Sequence, residues 1–321
     1  MGIFVFGWYD HNNLGDEAFK PSIRSLFPEK QFTFGNSIPK DINTLYDELW
    51  VGCGSFLDQQ IKGIELVTIP IGFIGVGIGH TVTPQNLEAL KRARFVIVRD
   101  RLSLERYPTA LQAPDIVFSR RDMPTPTPKA KDAPKKVVVL LNDFFSPQWE
   151  CPEWKSFSYY RFTQEFSKVC ESLISRGYLL QFLPMCIAAE VDDRKIAAGV
   201  IGRIKTKKKT EWYVSGALSE EYFLTQVAQA DLVITQRLHG AIYSILLGKP
   251  PIVIRAHDKL AGLVEDCKWD GHLDYYGFTD SEFFNILKKI ENKTVASDYI
   301  LNAQKRWAEL AQMITKSDRE K

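Results

Sequence analysis

No stretch of this chain approaches the roughly 20 consecutive apolar residues that a membrane-spanning helix requires. The opening Met1-Gly2-Ile3-Phe4-Val5-Phe6 also lacks the basic region of a secretory signal. Cysteine is scarce: Cys53, Cys151, Cys170, Cys186 and Cys267 are odd in number, widely scattered and without the paired spacing of a metal site. That excludes a disulfide framework and leads to the expectation of a reducing, cytoplasmic compartment. An excess of charge of one sign is missing too, since 41 Lys+Arg against 39 Asp+Glu leave a formal net charge of +2, so nothing asks for a nucleic-acid partner. Repeats of fixed period are absent. The lysine run KTKKK at 205–209 reads as a solvated loop.

What is there is a globular composition, 45% hydrophobic with 12% aromatic residues, on 321 residues that suit two α/β domains. The segment RRDMPTPTPKAKDAPKK, Arg120 to Lys136, packs prolines and lysines without apolar periodicity, so it can hold neither a helix nor a buried face. A Pro/Lys-rich linker is expected at 123–135, between an N-terminal domain at 1–122 and a C-terminal one at 136–321. In the first, Ile3 to Phe6, Leu49 to Val51, Val67 to Ile74 and Phe95 to Val98 read as strands, with a helix over Gln85 to Arg92. The second alternates more plainly. Strands are expected at Val137 to Leu141, Leu179 to Leu183, Leu232 to Thr235 and Ile252 to Ile254, with helices at Thr163 to Arg176, Ser219 to Ala230 and Gly240 to Leu247. Gly177 and Gly248 serve as helix stops. This rhythm predicts two Rossmann-like domains. A terminal helix carries Ile300, Ala303, Trp307, Leu310, Ala311 and Ile314 on one face and is expected to dock on a domain; the boundaries group it with the second.

Ligands of such sheets bind beyond the carboxyl ends of strands, where glycine turns and helix N-termini face anions. Three segments meet that test: Gly7 to Ala18 (GWYDHNNLGDEA), Gly52 to Asp58 (GCGSFLD) and Gln236 to Gly240 (QRLHG). In the last, Arg237 and His239 flank a leucine at a strand-to-helix junction, which suits an anion. The plain alternative is that Arg237 pairs with a structural carboxylate and His239 is a satisfied core histidine. After the next strand come Arg255, His257, Asp258 and Lys259. Asp192-Asp193 is the only adjacent acidic pair weighed as a cation grip, and it falls in an amphipathic helical stretch, so no metal is predicted.

The run ADLVITQRLHGAIYSILLGKPPIVIRAHDK resembles the C-terminal signature of the polysaccharide pyruvyl transferase family. Asn13-Leu14-Gly15-Asp16-Glu17-Ala18 is similar to that family's N-terminal turn. Val51 to Leu57, Gly75 to Gly79, Val98-Arg99-Asp100 with Ser103, and Ala113-Pro114-Asp115 resemble further elements in family order. Cys53 and Ser55 stand where glycines are usual, Trp8 to His11 is bulky, and Gly240 replaces a more typical alanine.

The resemblance implies two facing Rossmann-like domains, GT-B-like, with the active site in the cleft: the first on the acceptor side, the second on the donor side. It implies transfer of the pyruvyl group of phosphoenolpyruvate to a sugar as a ketal, with a carbohydrate acceptor and no cofactor beyond the donor itself. On that basis Arg237 holds an anionic group, His239 binds phosphate or acts as acid, and Leu238 and Gly240 complete the donor turn. Lys259 and Arg99 add charge at the rim. Asp16 or Glu17 is the base, or else an N-terminal helix cap. Asn13, Gly15, Gly54, Ser55 and His80 are expected to line the cleft, His80 alternatively being a hydrogen-bonded turn residue. Asp100 and Asp115 brace loops, and His11 and His272 are structural. The competing functions are a metal-independent GT-B glycosyltransferase using a nucleotide sugar and a non-catalytic carbohydrate- or anion-binding module.

Overall fold

The computed structural model describes all residues except 1, 56, 58, 126–132, 144–158, 207–209, 214–215, 217, 256–257, 276, 292, 294–296 and 320–321. His257, Cys151, most of the linker and part of the lysine run therefore lie outside the described residues. The chain divides into two compact units. Unit 1 comprises Met1–His11, Asp16–Arg121 and Asp298–Lys321, and unit 2 comprises Asn12–Gly15 and Asp122–Ser297.

Unit 1 is built on a parallel sheet of six strands: β1 (Gly2–Phe6), β2 (Phe32–Gly35), β3 (Tyr46–Gly52), β4 (Ile71–Val76), β5 (Phe95–Val98) and β6 (Leu111–Gln112), in the order β2-β1-β3-β4-β5-β6. Every residue of β4 and β5 is buried. Strands covered on both faces read as continuous apolar runs rather than alternations, and these two do. The sequence expectation of a strand from Val67 is corrected here: Ile64–Leu66 is a 3-10 turn, Val67 closes it, and the ladder with β3 starts only at Ile71, after Pro70. Proline lacks the N–H that a central strand would donate.

Unit 2 carries β7 (Lys136–Leu140), β8 (Leu179–Phe182), β9 (Thr210–Trp212), β10 (Leu232–Thr235), β11 (Pro251–Arg255) and β12 (His272–Asp274), all parallel, in the order β12-β11-β10-β7-β8-β9. Val137 to Leu140 is at most 1% exposed, the center of the core. The helix Leu238–Leu246 starts just beyond β10, after Gln236 and Arg237, whereas Asp193–Ile201 follows β8 after the connection Leu183 to Asp192. Gly177 and Gly248 take φ of +92° and +65°, the left-handed conformation that ends a helix without a Cβ clash.

Chain order reverses between β7 and β10 in unit 2 and between β1 and β3 in unit 1. These are the switch points where open α/β sheets leave a crevice.

The terminal helix, Ser297–Arg319, does not belong with residues 136–321 as expected; it packs in unit 1. Ala303, Trp307, Leu310, Ala311 and Ile314 are buried, as their spacing predicts. The indole Nε1 donates to Pro114 O at 2.8 Å, and Arg94 Nη2 donates to Ile314 O at 2.8 Å. Sequence spacing shows that a helix has an apolar face but not which sheet will receive it. Among the described residues, no helix is long and apolar enough to cross a membrane.

Candidate active site

The turn after β10 is closed by its own side chains. Thr235 Oγ1 accepts the N–H of Arg237 at 3.0 Å and donates to Arg237 O at 3.0 Å. Arg237 then becomes the N-cap of Leu238–Leu246 without supplying a side-chain cap. Leu238 opens the helix and His239 and Gly240 follow in its first turn. A Cβ on Gly240 would lie 2.6 Å from Thr235 Oγ1 and 2.7 Å from Leu140 Cδ1, so the helix rests too close to β7 and β10 for alanine. This accounts for the departure from the more typical residue.

Arg237 does not stand open toward a ligand along its whole fork. Its Nε donates to Asp193 Oδ2 at 3.0 Å and its Nη2 to Asp193 Oδ1, with side-chain exposures of 12% and 1%. This is the pairing with a structural carboxylate that the plain alternative described. Asp193 Oδ2 also accepts the N–H groups of Met185 and Cys186, each at 3.0 Å. Burial pushes the Asp193 carboxyl above its usual range, while Arg237 and these two N–H donors act against that rise. Asp192, its neighbor, caps the helix through Arg194 N–H at 3.0 Å. The acidic pair is thus a cap and an arginine anchor.

The Met185–Ile187 segment receives the N-terminal turn. Leu14 N–H donates to Met185 O at 2.8 Å, Ile187 N–H donates to Asn12 O at 3.1 Å, and Asn13 forms an antiparallel bridge with Cys186. Asn13 Oδ1 accepts Gly15 N–H at 3.0 Å. Gly15 lies against His239: a Cβ there would fall inside van der Waals distance of Nδ1 and 3.1 Å from Cγ. Asn13, Gly15, Arg237 and His239 therefore meet in unit 2.

Glu17 Oε1 accepts Asp10 N–H at 2.7 Å and its Oε2 lies 2.6 Å from Lys20 Nζ, so Glu17 braces its own loop. Asp16 is half-buried in unit 1. Lys259 is exposed on the helix Asp258–Asp266 of unit 2, and Arg255 pairs with Asp274 across β11 and β12.

Arg99, expected to add charge at the rim, is buried in unit 1. Its Nη2 donates to Ser55 Oγ at 2.7 Å, while Asp100 and Asp115 stand at 3.7 and 3.8 Å. Asp100 Oδ1 caps the following helix through Ser103 N–H at 2.7 Å and Asp115 Oδ1 accepts Val117 N–H at 3.1 Å. Gly54 O accepts Gly77 N–H at 2.8 Å, bringing the two glycine turns together. His80 is a turn residue with Nε2 2.9 Å from Arg106 Nη2. His11 stacks on Trp8 at 4.7 Å, and His272 Nδ1 lies 2.9 Å from Trp269 O.

Three features escaped sequence reasoning. Asp193 was weighed only as a metal ligand, and no spacing links it to Arg237. Asn142 and Gln236, 2% and 0% exposed, flank the switch point of unit 2, and Gln236 Oε1 accepts Asn142 N–H at 3.0 Å. Asn142 follows β7 just as Gln236 follows β10, so the strand-end test already applied to other segments would have found it. Tyr9 is fully buried over Gly7 and Gly52, which gives the bulky first loop a packing role at the switch point of unit 1.

Two doubly wound parallel sheets with polar turns at their strand ends define the fold class, α/β and GT-B-like. The chain is similar in fold to the UDP-GlcNAc 2-epimerase from Methanocaldococcus jannaschii, with 9% identity, TM-score 0.62 and coverage of 98% of this chain and 99% of that one. It is also similar to the glycotransferase of kitacinnamycin, with 12% identity, TM-score 0.57 and 98% of each chain covered. The E. coli ADP-heptose lps heptosyltransferase II matches with 13% identity and TM-score 0.50 over 91% of this chain and 98% of that one. At such identities the likeness concerns fold alone. No curated protein matches the chain in sequence. The family model of the polysaccharide pyruvyl transferases matches residues 13–258, and the chain belongs to that family.

Proposed function

We propose that this transferase moves the pyruvyl group of phosphoenolpyruvate onto two hydroxyls of a sugar in a glycan, closing a ketal and releasing phosphate. The observation that carries the reading is the contact of Gly15 with His239, which joins two family-like motifs from opposite ends of the matched region. Protonation of the donor's methylene carbon makes its neighboring carbon electrophilic. One sugar hydroxyl adds there and gives up its proton, the phosphate leaves with its bridging oxygen, and the second hydroxyl closes the ring. Two hydroxyl protons are lost: one is balanced by the proton gained at the new methyl group and the other leaves with the phosphate, giving one ketal and one phosphate.

His239, in the first turn of Leu238–Leu246, holds the donor phosphate or delivers the proton, where the helix N-terminus favors negative charge. Arg237 supports that turn through Asp193 and keeps positive charge beside it. Asp16 or Glu17 takes the base role, and Glu17 also accepts Asp10 N–H and lies beside Lys20. The test is incubation with phosphoenolpyruvate and a panel of acceptor glycans, following phosphate release by phosphorus NMR and the glycan by mass. Acceptor-dependent phosphate release with a pyruvyl-bearing glycan is expected. Sugar transfer from a nucleotide sugar without turnover of phosphoenolpyruvate would replace this reading, and binding without turnover of either donor would leave a binding module.

A further inference from the structure

We infer that Gly15 and Asp193 are positioning residues for the His239 imidazole: Gly15 is the surface on which the ring rests, and Asp193 is the anchor that fixes that surface. The catalytic consequence rests on the role given to His239 above, but the positioning itself does not.

The geometry forms a closed circuit. The ring of His239 occupies the place that any side chain at residue 15 would take, since a Cβ there would meet Nδ1 and lie 3.1 Å from Cγ and 3.3 Å from Asn13 Oδ1. Gly15 cannot retreat easily. Its N–H is held by Asn13 Oδ1 at 3.0 Å, and the residues around it are tied to Met185 and Ile187 by backbone hydrogen bonds of 2.8 and 3.1 Å. That segment is in turn fixed by Asp193, whose Oδ2 accepts two of its N–H groups and whose own N–H donates to Cys186 O at 3.0 Å. The same carboxylate grips Arg237, two residues before His239. The circuit thus begins and ends on one strand-to-helix turn, and each member limits where the imidazole can point. A proton donor must stand within about 2.6–3.2 Å of its acceptor, and a misplacement of about 1 Å can cost on the order of 100-fold in rate. Torsion of an imidazole about its side-chain bonds readily produces a displacement of that size, which gives a glycine seat a function beyond packing.

The experiment compares wild type with Gly15→Ala, Asp193→Asn, His239→Ala and the Gly15→Ala/His239→Ala double variant. Ring nitrogen and Cε1–H resonances of the five histidines are recorded at one fixed pH, the His239 signals being those lost in His239→Ala. Gly15→Ala and Asp193→Asn should both move the His239 signals and leave those of His272, held against Trp269 O on β12, in place. The melting temperature should fall for Gly15→Ala in the wild-type background and far less in the His239→Ala background, because the colliding ring is then gone. Turnover of phosphoenolpyruvate in Gly15→Ala should drop about 100-fold with a smaller change in donor KM.

Unmoved His239 signals in both variants, or an equal melting penalty for Gly15→Ala with and without the ring, would overturn the proposal. If the wild-type protein transfers no pyruvyl group, the functional reading fails by itself, and the resonances and melting cycle still decide the positioning. Asp193→Asn supplies the decision should Gly15→Ala not fold.

Discussion

Each unit presents an arginine immediately beyond a parallel strand, Arg237 after β10 and Arg99 after β5, and the two are held in different ways. Arg237 is gripped by both oxygens of one nearly inaccessible carboxylate. The Arg99 side chain makes one hydrogen bond among the described residues, to the hydroxyl of Ser55, and two carboxylates stand off at 3.7 and 3.8 Å. The first arrangement turns an arginine into part of the framework, because a bidentate pair fixes the guanidinium plane. The second holds a buried cation by one hydroxyl and two carboxylates at longer range. A strand-end arginine therefore does not announce its task, and its partner must be seen first.

The largest effect that tests this contrast comes from removing each arginine. Arg237→Ala strands the buried Asp193 charge and should cost about 3–5 kcal/mol, whereas Arg99→Ala removes one close hydrogen bond and two longer contacts with Asp100 and Asp115 and should cost about 1.5–3 kcal/mol. Chemical denaturation of the two variants measures the gap. Equal losses, or a larger one for Arg99→Ala, would break the contrast.

The glycines beside the two sites sharpen it further. Gly240→Ala forces its Cβ onto Thr235 and Leu140, both in the core, and overpacking there should destabilize by about 1–3 kcal/mol. Gly77→Ala collides first with Ser55, an exposed side chain that can swing away, so it should be milder and act by breaking the hydrogen bond to Arg99. Paired melting curves distinguish the outcomes, and a milder Gly240→Ala would contradict the close helix-to-sheet approach in unit 2.

A pH effect belongs to unit 1. Burial, with Asp115 next, raises the Cys53 thiol well above its ordinary value against the opposing charge of Arg99. The unfolded thiol loses its proton near pH 8.5 while the folded one keeps it, so the folded state binds more protons and stability falls as pH rises. The slope contributed is about 1.4 kcal/mol per pH unit from roughly pH 8.5 upward. Cys53→Ala should flatten that portion of the stability–pH curve. An unchanged slope in the variant would show that the thiol is not sealed beside Arg99.

Much of this architecture is legible in the chain because buried parallel strands leave long apolar runs. Phe95 to Val98 and Leu232 to Thr235 coincide with β5 and β10, and Val137 to Leu141 overlaps β7. The missed strands β2, β6, β9 and β12 lie at sheet edges, where they are short and partly exposed, so neither alternation nor a continuous run marks them. The site divides similarly. The motif turns at Asn13 to Glu17 and Arg237 to Gly240 stand out by residue type, but the seat of His239 on Gly15 joins positions with no periodic relation.

The sequence by itself determined that the chain alternates strands and helices in two Rossmann-like halves and which strand-end segments bear glycines and charged side chains. These properties follow from local hydrophobic pattern and turn residues, both of which act over a few positions. Only the tertiary structure decided that the terminal helix packs in unit 1, that Asp193 takes the fork of Arg237, and that Asn12–Gly15 joins unit 2. Those outcomes depend on which surfaces meet in space, and buried charge selects its partner by distance and desolvation rather than by separation along the chain.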